Sequence, residues 1–249
     1  MEDMEHMMNI REIFRFSIGK FSIVVTESMI TMWIVMIALI VFAYIFSRNL
    51  KVIPGKKQSL IEVAIEYVGK ICKDSMGHYW SAFIPYIATV ALFLILCNMI
   101  SIFNIIPTGE DLYKLTGIEF FQKIPNYSIT PPTKDINVAA AMAVSTILVM
   151  IGSCIYYKGF FGWVKSLFKP VAIMFPMNIL ELCLKPLSLC LRLFGNILGA
   201  FIAMEITYSL MPAFAPVIMS AYFDIFDGIL QAYIFVFLST IYIGEALED

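Results

Sequence analysis

The sequence has few of the residues from which catalytic and metal sites are commonly built. Its 249 residues include only two histidines, His6 and His78, and both lie outside the long apolar segments. The phosphate-binding motif GxxxxGK[ST], the zinc-protease motif HExxH and the nucleophile motif GxSxG are all absent. We therefore expect no bond-breaking chemistry, no bound metal and no cofactor in this chain by itself.

Closely spaced cysteine pairs are missing as well. The five cysteines occur singly, mostly inside apolar runs, at Cys72, Cys97, Cys154, Cys183 and Cys190. Without a CxxC pair, neither a disulfide framework nor a zinc site is predicted.

Charge is scarce too, at 14% of the residues with a net charge of -2, whereas 60% of the residues are hydrophobic. A water-soluble domain of this length could not bury so much apolar surface, so the composition predicts a polytopic membrane protein. No basic run suggests a nucleic-acid partner. The first long apolar run begins only near Met29, after an acidic start, which favours a retained span over a cleaved signal peptide.

Three segments are free of charge and long enough to cross a bilayer as helices: 29–46, 82–106 and 136–157. Between the first two, residues 58–73 place apolar and charged side chains on opposite sides of a helix. We interpret this segment as an amphipathic helix on the membrane surface.

The C-terminal third contains two longer apolar segments, 170–211 and 213–244, which carry charged residues. A helix over the first would be ~60 Å long, about twice the hydrocarbon thickness. Strong tilt, or a kink at Pro176 or Pro186, would accommodate it, and MPAFAP at 211–216 predicts a hairpin turn. The expected fold is all-α: one integral membrane domain over 1–249, with five crossing helices, a surface helix and a tilted C-terminal hairpin.

The basic residues predict the orientation. Six lysines and arginines lie between Arg48 and Lys73 and three in the 158–169 loop, whereas acidic residues offset the basic ones in the 107–135 loop. The positive-inside rule places the first two regions in the cytoplasm. With five crossings, the N-terminus is expected outside and the C-terminus inside.

A stripe of polar residues follows the first long C-terminal helix. At ~100° per residue, Glu181, Lys185, Ser188, Arg192 and Asn196 fall on one face. Glu181 and Lys185 form a favourable i, i+4 pair that could satisfy itself. Arg192 has no acidic residue at i±3 or i±4, and a guanidinium stays charged in any protein environment. Its partner must come from elsewhere in the fold or from another chain.

Small residues follow the arginine at intervals of four: Gly195, Gly199 and Ala203. Such a surface lets a second helix approach closely. That helix could belong to another subunit, or the glycines could pack only within this chain.

On the last helix, Asp224, Asp227 and Gln231 share a face. Carboxylates within a membrane by default mark ion or proton routes. Alternatively, both aspartates lie in the headgroup region close to the turn. Gln231 is deeper in the helix and is expected to be buried and hydrogen-bonded.

These residues carry a resemblance. LSLCLRLFGNILGA, followed later by FDIFDGILQAYIFVFLSTIYI, resembles the C-terminal helix pair of subunit a of the F-type ATP synthase. RNLKVIPGKKQSLIE, PPTKDINVAAAMAV and KPLSLCLRLFGN resemble the same family, in order, over nearly the whole chain.

The resemblance implies an ion-translocating stator subunit beside a ring of c subunits, each with a membrane-embedded carboxylate. Arg192 would face that carboxylate between two offset half-channels. The implied partners are the c-ring, b-type peripheral stalk subunits and the rest of the synthase in a bacterial cell membrane. The implied ion is H⁺, with Na⁺ as the alternative.

The family's functional residues transfer position by position. Arg192, Asn196 and Gln231 match the family pattern, and Asp224 occupies a position where members usually have His or Glu. Phe201 departs from the pattern, because many members have Glu or His there. We hypothesise that Glu205, one turn later, takes over that half-channel role together with Asp224.

Two other functions are compatible with isolated features. A stand-alone secondary transporter could use Arg192 and Asp224 as an internal ion pair, and a scaffold protein could use the charges only for helix packing. The absence of internal repeats argues against the transporter. The coherent polar stripes argue against the scaffold. Co-purification with a c-ring and a stalk would distinguish the three.

Overall fold

The computed structural model describes residues 12–18, 21–48, 50–100, 131–168, 172–211 and 215–248. Within these residues, five helical segments are long and apolar enough to cross a membrane. The predicted all-α membrane fold is therefore confirmed.

Eight α-helices are assigned along the described chain. They are α1 (Glu27–Ser47), α2 (Lys56–Met76), α3 (Trp80–Met99), α4 (Ile136–Lys158), α5 (Phe160–Ser166), α6 (Phe175–Leu210), α7 (Ala215–Ser220) and α8 (Gly228–Glu248). A π-helix, Ala221–Asp227, joins α7 to α8.

The helix bounds follow the hydrophobic runs. The predicted span 29–46 lies within α1, and 136–157 lies within α4. The predicted span 82–106 begins inside α3, and its last six residues lie outside the described residues. Exposed apolar side chains such as Ile37 and Ile40 cover much of α1, as expected for a surface that faces lipid.

The segment 170–211 contains the uninterrupted 36-residue helix α6. Pro176 lies in its first turn, where the lack of a backbone N–H costs nothing, and Pro186 lies within it. In the predicted turn, residues 212–214 lie outside the described residues. The tilt of these helices stays a prediction.

Two short strands precede α1 and were not predicted. Glu12–Ile18 (β1) and Phe21–Thr26 (β2) pair antiparallel, with Ile18 opposite Phe21.

Gly77 separates α2 from α3. Its φ of 56° lies in the left-handed region that glycine adopts without steric cost. A short 3₁₀ turn, Gly77–Tyr79, follows, and α3 starts at Trp80. The segment from Lys56 to Met99 therefore forms two helices, the amphipathic α2 and the apolar α3, instead of one.

The chain divides into two compact units by its internal contacts. The first comprises Met1–Ile40, Phe93–Asp135 and Asn196–Leu230. The second comprises Val41–Leu92, Ile136–Gly195 and Gln231–Asp249.

The hydrophobic core of the second unit joins α2, α3, α4 and α8. Cys72, Ile87, Ile147 and Ile243 are among its buried members. The backbones of α2 and α8 approach closely here, because a Cβ on Gly244 would lie 2.0 Å from the carbonyl oxygen of Ser75. Only glycine fits at this crossing.

Candidate functional site

Arg192 lies on an exposed side of α6. Its neighbour Leu193 is fully buried, as is Leu189, whereas Arg192 is exposed. Among the described residues, no hydrogen bond or ion pair reaches this guanidinium. This agrees with the prediction that Arg192 has no acidic partner nearby on its own helix.

The glycines after Arg192 face open space. A Cβ built on Gly195 or Gly199 would meet no atom within 4 Å, and Ala203 is partly exposed on the same stripe. The alternative that these two glycines pack against helices within this chain is therefore not supported among the described residues.

At the other end of the polar stripe, Lys185 forms ion pairs within this chain. The Lys185 Nζ lies 2.9 Å from a carboxylate oxygen of Glu181, as predicted, and 2.9 Å from one of Glu245. Lys185 also lies over the Tyr242 ring, 5.3 Å from its centre. Sequence analysis missed Glu245, because its distance along the chain hides the contact.

Contacts between α6 and α8 have the order of an antiparallel hairpin. Lys185 and Glu245 are equally far along the chain from Ala215, where α7 begins. Leu182 likewise packs on the core cluster that contains Ile243.

Asp224 and Asp227 both lie in the π-helix. The i→i+5 bonding of a π-helix widens the turn, so the spacing of ~100° per residue that placed both aspartates with Gln231 does not hold across 221–227. The hydroxyl of Ser220 donates a hydrogen bond to the carboxylate of Asp224. Both aspartates are partly exposed. Isolated π-turns inside α-helices occur frequently at functional sites.

Gln231 is buried, as predicted, with 3% of its surface exposed. The expected hydrogen bond is not found at its Nε2, which has no partner among the described residues. Since buried amide groups are normally paired, this donor is available to the oxygen of a water or to an acceptor group of a neighbouring subunit.

A buried hydrogen-bond network in the first unit joins Thr133, Asn98 and Gly228, the residue that directly follows the π-helix. The Asn98 Nδ2 donates a 2.9 Å hydrogen bond to the Gly228 carbonyl oxygen, and the Thr133 hydroxyl donates to the Asn98 Oδ1 at 3.1 Å. A Cβ on Gly228 would lie only 3.0 Å from that of Asn98. Sequence analysis missed this network, although an asparagine inside an apolar span was a usable signal.

Phe201, the residue that departs from the family pattern, is covered by a cation. The Lys134 Nζ lies 3.9 Å from the centre of the Phe201 ring. Burial lowers the pKa of Lys134, and the negative charge of Glu27 opposes that shift. The aromatic ring thus stabilises the half-buried Lys134 ammonium through a cation–π contact.

The predicted site residues fall in both units. Arg192, Gly195 and Gln231 belong to the second unit. The first unit contains the remaining residues, which are Asn196, Gly199, Ala203, Glu205, Asp224 and Asp227. Asn196 is partly exposed, and the side chain of Glu205 lies outside what the structure describes. No cluster of His, Cys, Asp or Glu with metal-binding geometry occurs in the described ranges.

Comparison with known proteins decides the family. The family model described as "ATP synthase A chain" matches residues 29–244. The chain belongs to the ATP synthase subunit a family. A relative from Propionigenium modestum, "ATP synthase subunit a, sodium ion specific", is 31% identical over 235 residues, which cover 93% of this chain and 77% of that protein.

Family membership defines the general role. The chain is an ion-translocating stator subunit of the F-type ATP synthase, a non-catalytic component of its membrane sector. It is a multi-pass membrane protein that works within a larger complex. The resemblance found in the sequence is thereby confirmed.

Proposed function

We propose that Arg192 faces the membrane-embedded carboxylate of each c subunit as the rotor ring turns past α6. The observation that carries this proposal is an exposed guanidinium without an anionic partner among the described residues. A permanent charge placed in an apolar helix needs such a partner. The c-ring carboxylate supplies it from another chain.

The open stripe beside the arginine supports the same assignment. Gly195, Gly199 and Ala203 let a rotor helix pack against α6 without steric conflict. A fixed positive charge then favours the ionised form of the rotor carboxylate, promotes release of its ion and blocks a direct leak between the two half-channels.

The remaining polar residues are proposed to line the half-channels. Asn196 continues the face of Arg192, and Asp224 and Asp227 lie in the π-helix. Gln231 offers a buried amide donor. Glu205 is included on its position in the sequence alone.

The transported ion is proposed to be H⁺, with Na⁺ as the alternative. The name of the Propionigenium modestum relative specifies sodium for that protein, so both ions need testing. One charge that crosses 100 mV releases ~2.3 kcal/mol, and a rotor sums several such steps for each ATP.

The specific partners proposed are the c-ring, b-type peripheral stalk subunits and the rest of the synthase, in a bacterial cell membrane. No nucleic acid is expected to bind. The N-terminus is proposed to lie outside and the C-terminus in the cytoplasm, because the basic residues concentrate in 48–73 and 158–169. Accessibility of single cysteines placed at the two ends would test this orientation.

The decisive experiment measures ATP-driven ion transport by the reconstituted complex. Replacing Arg192 by Gln should abolish transport while ATP hydrolysis by the catalytic sector persists. Arg48→Gln is the matched control, because Arg48 lies exposed beyond the end of α1 beside Tyr44. Coupled transport that survives Arg192→Gln would refute the proposed role.

Two further measurements accompany it. Transport with and without Na⁺, in the presence of a protonophore, distinguishes the ions, since only Na⁺ transport survives the protonophore. Co-purification tests the partners, because a stator subunit should be recovered with a c-ring and a stalk.

A further inference from the structure

A groove of about 820 Å³ lies between the charged side of α2 and the beginning of α3, within the second unit. Glu62, Glu66, Lys70 and Lys73 line one wall. At ~100° per residue, these four positions fall within roughly 80° of the helix circumference. The two acids come first and the two bases follow, so opposite charges are separated along one face.

These charges are not neutralised by one another. Glu66 and Lys70 have the i, i+4 spacing of a helical ion pair, yet no ion pair joins the four groups in the described part of the chain. Glu62 accepts a hydrogen bond from Gln58, and neither lysine has an anionic partner there. Both ammonium groups are therefore available to a phosphate.

The floor of the groove is apolar. Trp80 and Ile84, in the first turns of α3, pack over Gly69, where a Cβ would lie 3.5 and 3.6 Å from them. Trp80 and Ile84 belong to the apolar helix α3, which continues as a candidate membrane span. The floor of the groove therefore connects the charged side of α2 with the apolar surface of α3.

We propose that this groove binds a phospholipid with a zwitterionic aminophosphate headgroup, of the phosphatidylethanolamine type. The phosphate lies beside Lys70 and Lys73, the amine lies towards Glu66, and an acyl chain follows Trp80 and Ile84. Equal numbers of acidic and basic groups favour a neutral dipolar headgroup over an anionic one, since the glutamates would repel a net negative charge. A helix on the membrane surface meets such headgroups directly.

Photo-labelling of the reconstituted whole complex tests the site. The probes are a phosphatidylethanolamine and a phosphatidylglycerol that carry the same photoreactive acyl chain. In the wild type, we expect the first probe to label the segment around Trp80 and Ile84 several-fold more than the second. The double variant Lys70→Gln with Lys73→Gln should lose most of this labelling, and replacement of both by Arg should retain it.

Two variants sharpen the experiment. Lys51→Gln with Lys56→Gln removes two exposed charges outside the groove and should change nothing. Glu62→Gln with Glu66→Gln makes the groove positive and should reverse the preference towards phosphatidylglycerol. None of these residues belongs to the proposed ion path, so the variants should transport ions normally.

Three outcomes would overturn the proposal: equal labelling by both probes, labelling that is indifferent to the lysine variant, or no lipid labelling there. If a neighbouring protein subunit covers the groove, no lipid will be labelled there, and cross-links from this segment to that subunit will be found instead.

Discussion

The Lys134 ammonium nitrogen lies 3.9 Å from the centre of the Phe201 ring. This contact places a positive charge at the α6 position where the family pattern led us to expect an ionisable His or Glu. It also connects α6 to the turn Pro132–Lys134, whose Thr133 hydrogen-bonds to Asn98. The departure from the pattern is therefore part of a packed arrangement of the first unit.

The Phe201 contact predicts a difference between two substitutions. Phe201→Leu removes the aromatic face below a half-buried cation and should lower stability by roughly 0.5–2 kcal/mol, whereas Phe201→Tyr should retain most of the interaction. Thermal unfolding of the purified complex would compare them. An equal loss of stability in both variants would contradict a stabilising cation–π contact, because tyrosine keeps the aromatic ring.

Gly199 predicts a defect in assembly without a defect in folding. Gly199→Leu adds a side chain to an open surface, so the chain should insert and fold normally, but the rotor helix should be displaced. Gly152→Leu is the matched control, because Gly152 is also in a helix with no atom within 4 Å of an added Cβ. The measurement is the amount of c-ring that co-purifies. A loss shared by both variants would argue against a rotor-facing stripe.

Replacing glycine by alanine should have different effects on stability at Gly244 and at Gly152. Gly244→Ala forces a methyl group against the Ser75 carbonyl and should cost up to roughly 3 kcal/mol, which exceeds the ~1 kcal/mol that alanine gains over glycine in helix propensity. Gly152→Ala meets open space and should be neutral or stabilising. Unfolding midpoints of the two variants provide the test, and unchanged stability of Gly244→Ala would contradict the close crossing.

Glu205 predicts a change in ion flux. If it replaces the missing ionisable residue at position 201, Glu205→Gln should reduce passive proton conduction through membranes that contain the membrane sector. Asp74→Asn neutralises an exposed carboxylate on α2 and serves as the control. Undiminished flux in Glu205→Gln would remove this residue from the pathway.

The fold class could be predicted because hydrophobic runs of sufficient length leave the backbone no alternative to helices in lipid. Residues 29–46 and 136–157 lie within α1 and α4 for this reason. The π-helix at Ala221–Asp227 could not be predicted, since its i→i+5 bonds depend on packing and on hydrogen bonds such as that from Asn98 to Gly228.

The site was predictable where it depends on one helix. Spacing alone paired Glu181 with Lys185 and left Arg192 without a local partner, and both inferences agree with the geometry. Glu245 was missed because its contact with Lys185 bridges 60 residues of chain.

The sequence by itself determined which segments enter the membrane, which family the chain resembles and why Arg192 needs a partner. These properties depend on composition and helical periodicity, which are local. Tertiary structure decided that no described atom lies close to Gly195 or Gly199, that Lys134 lies over the Phe201 ring and that Gly244 touches Ser75. Such contacts arise only when distant helices pack, because spacing along one helix carries no information about what lies opposite.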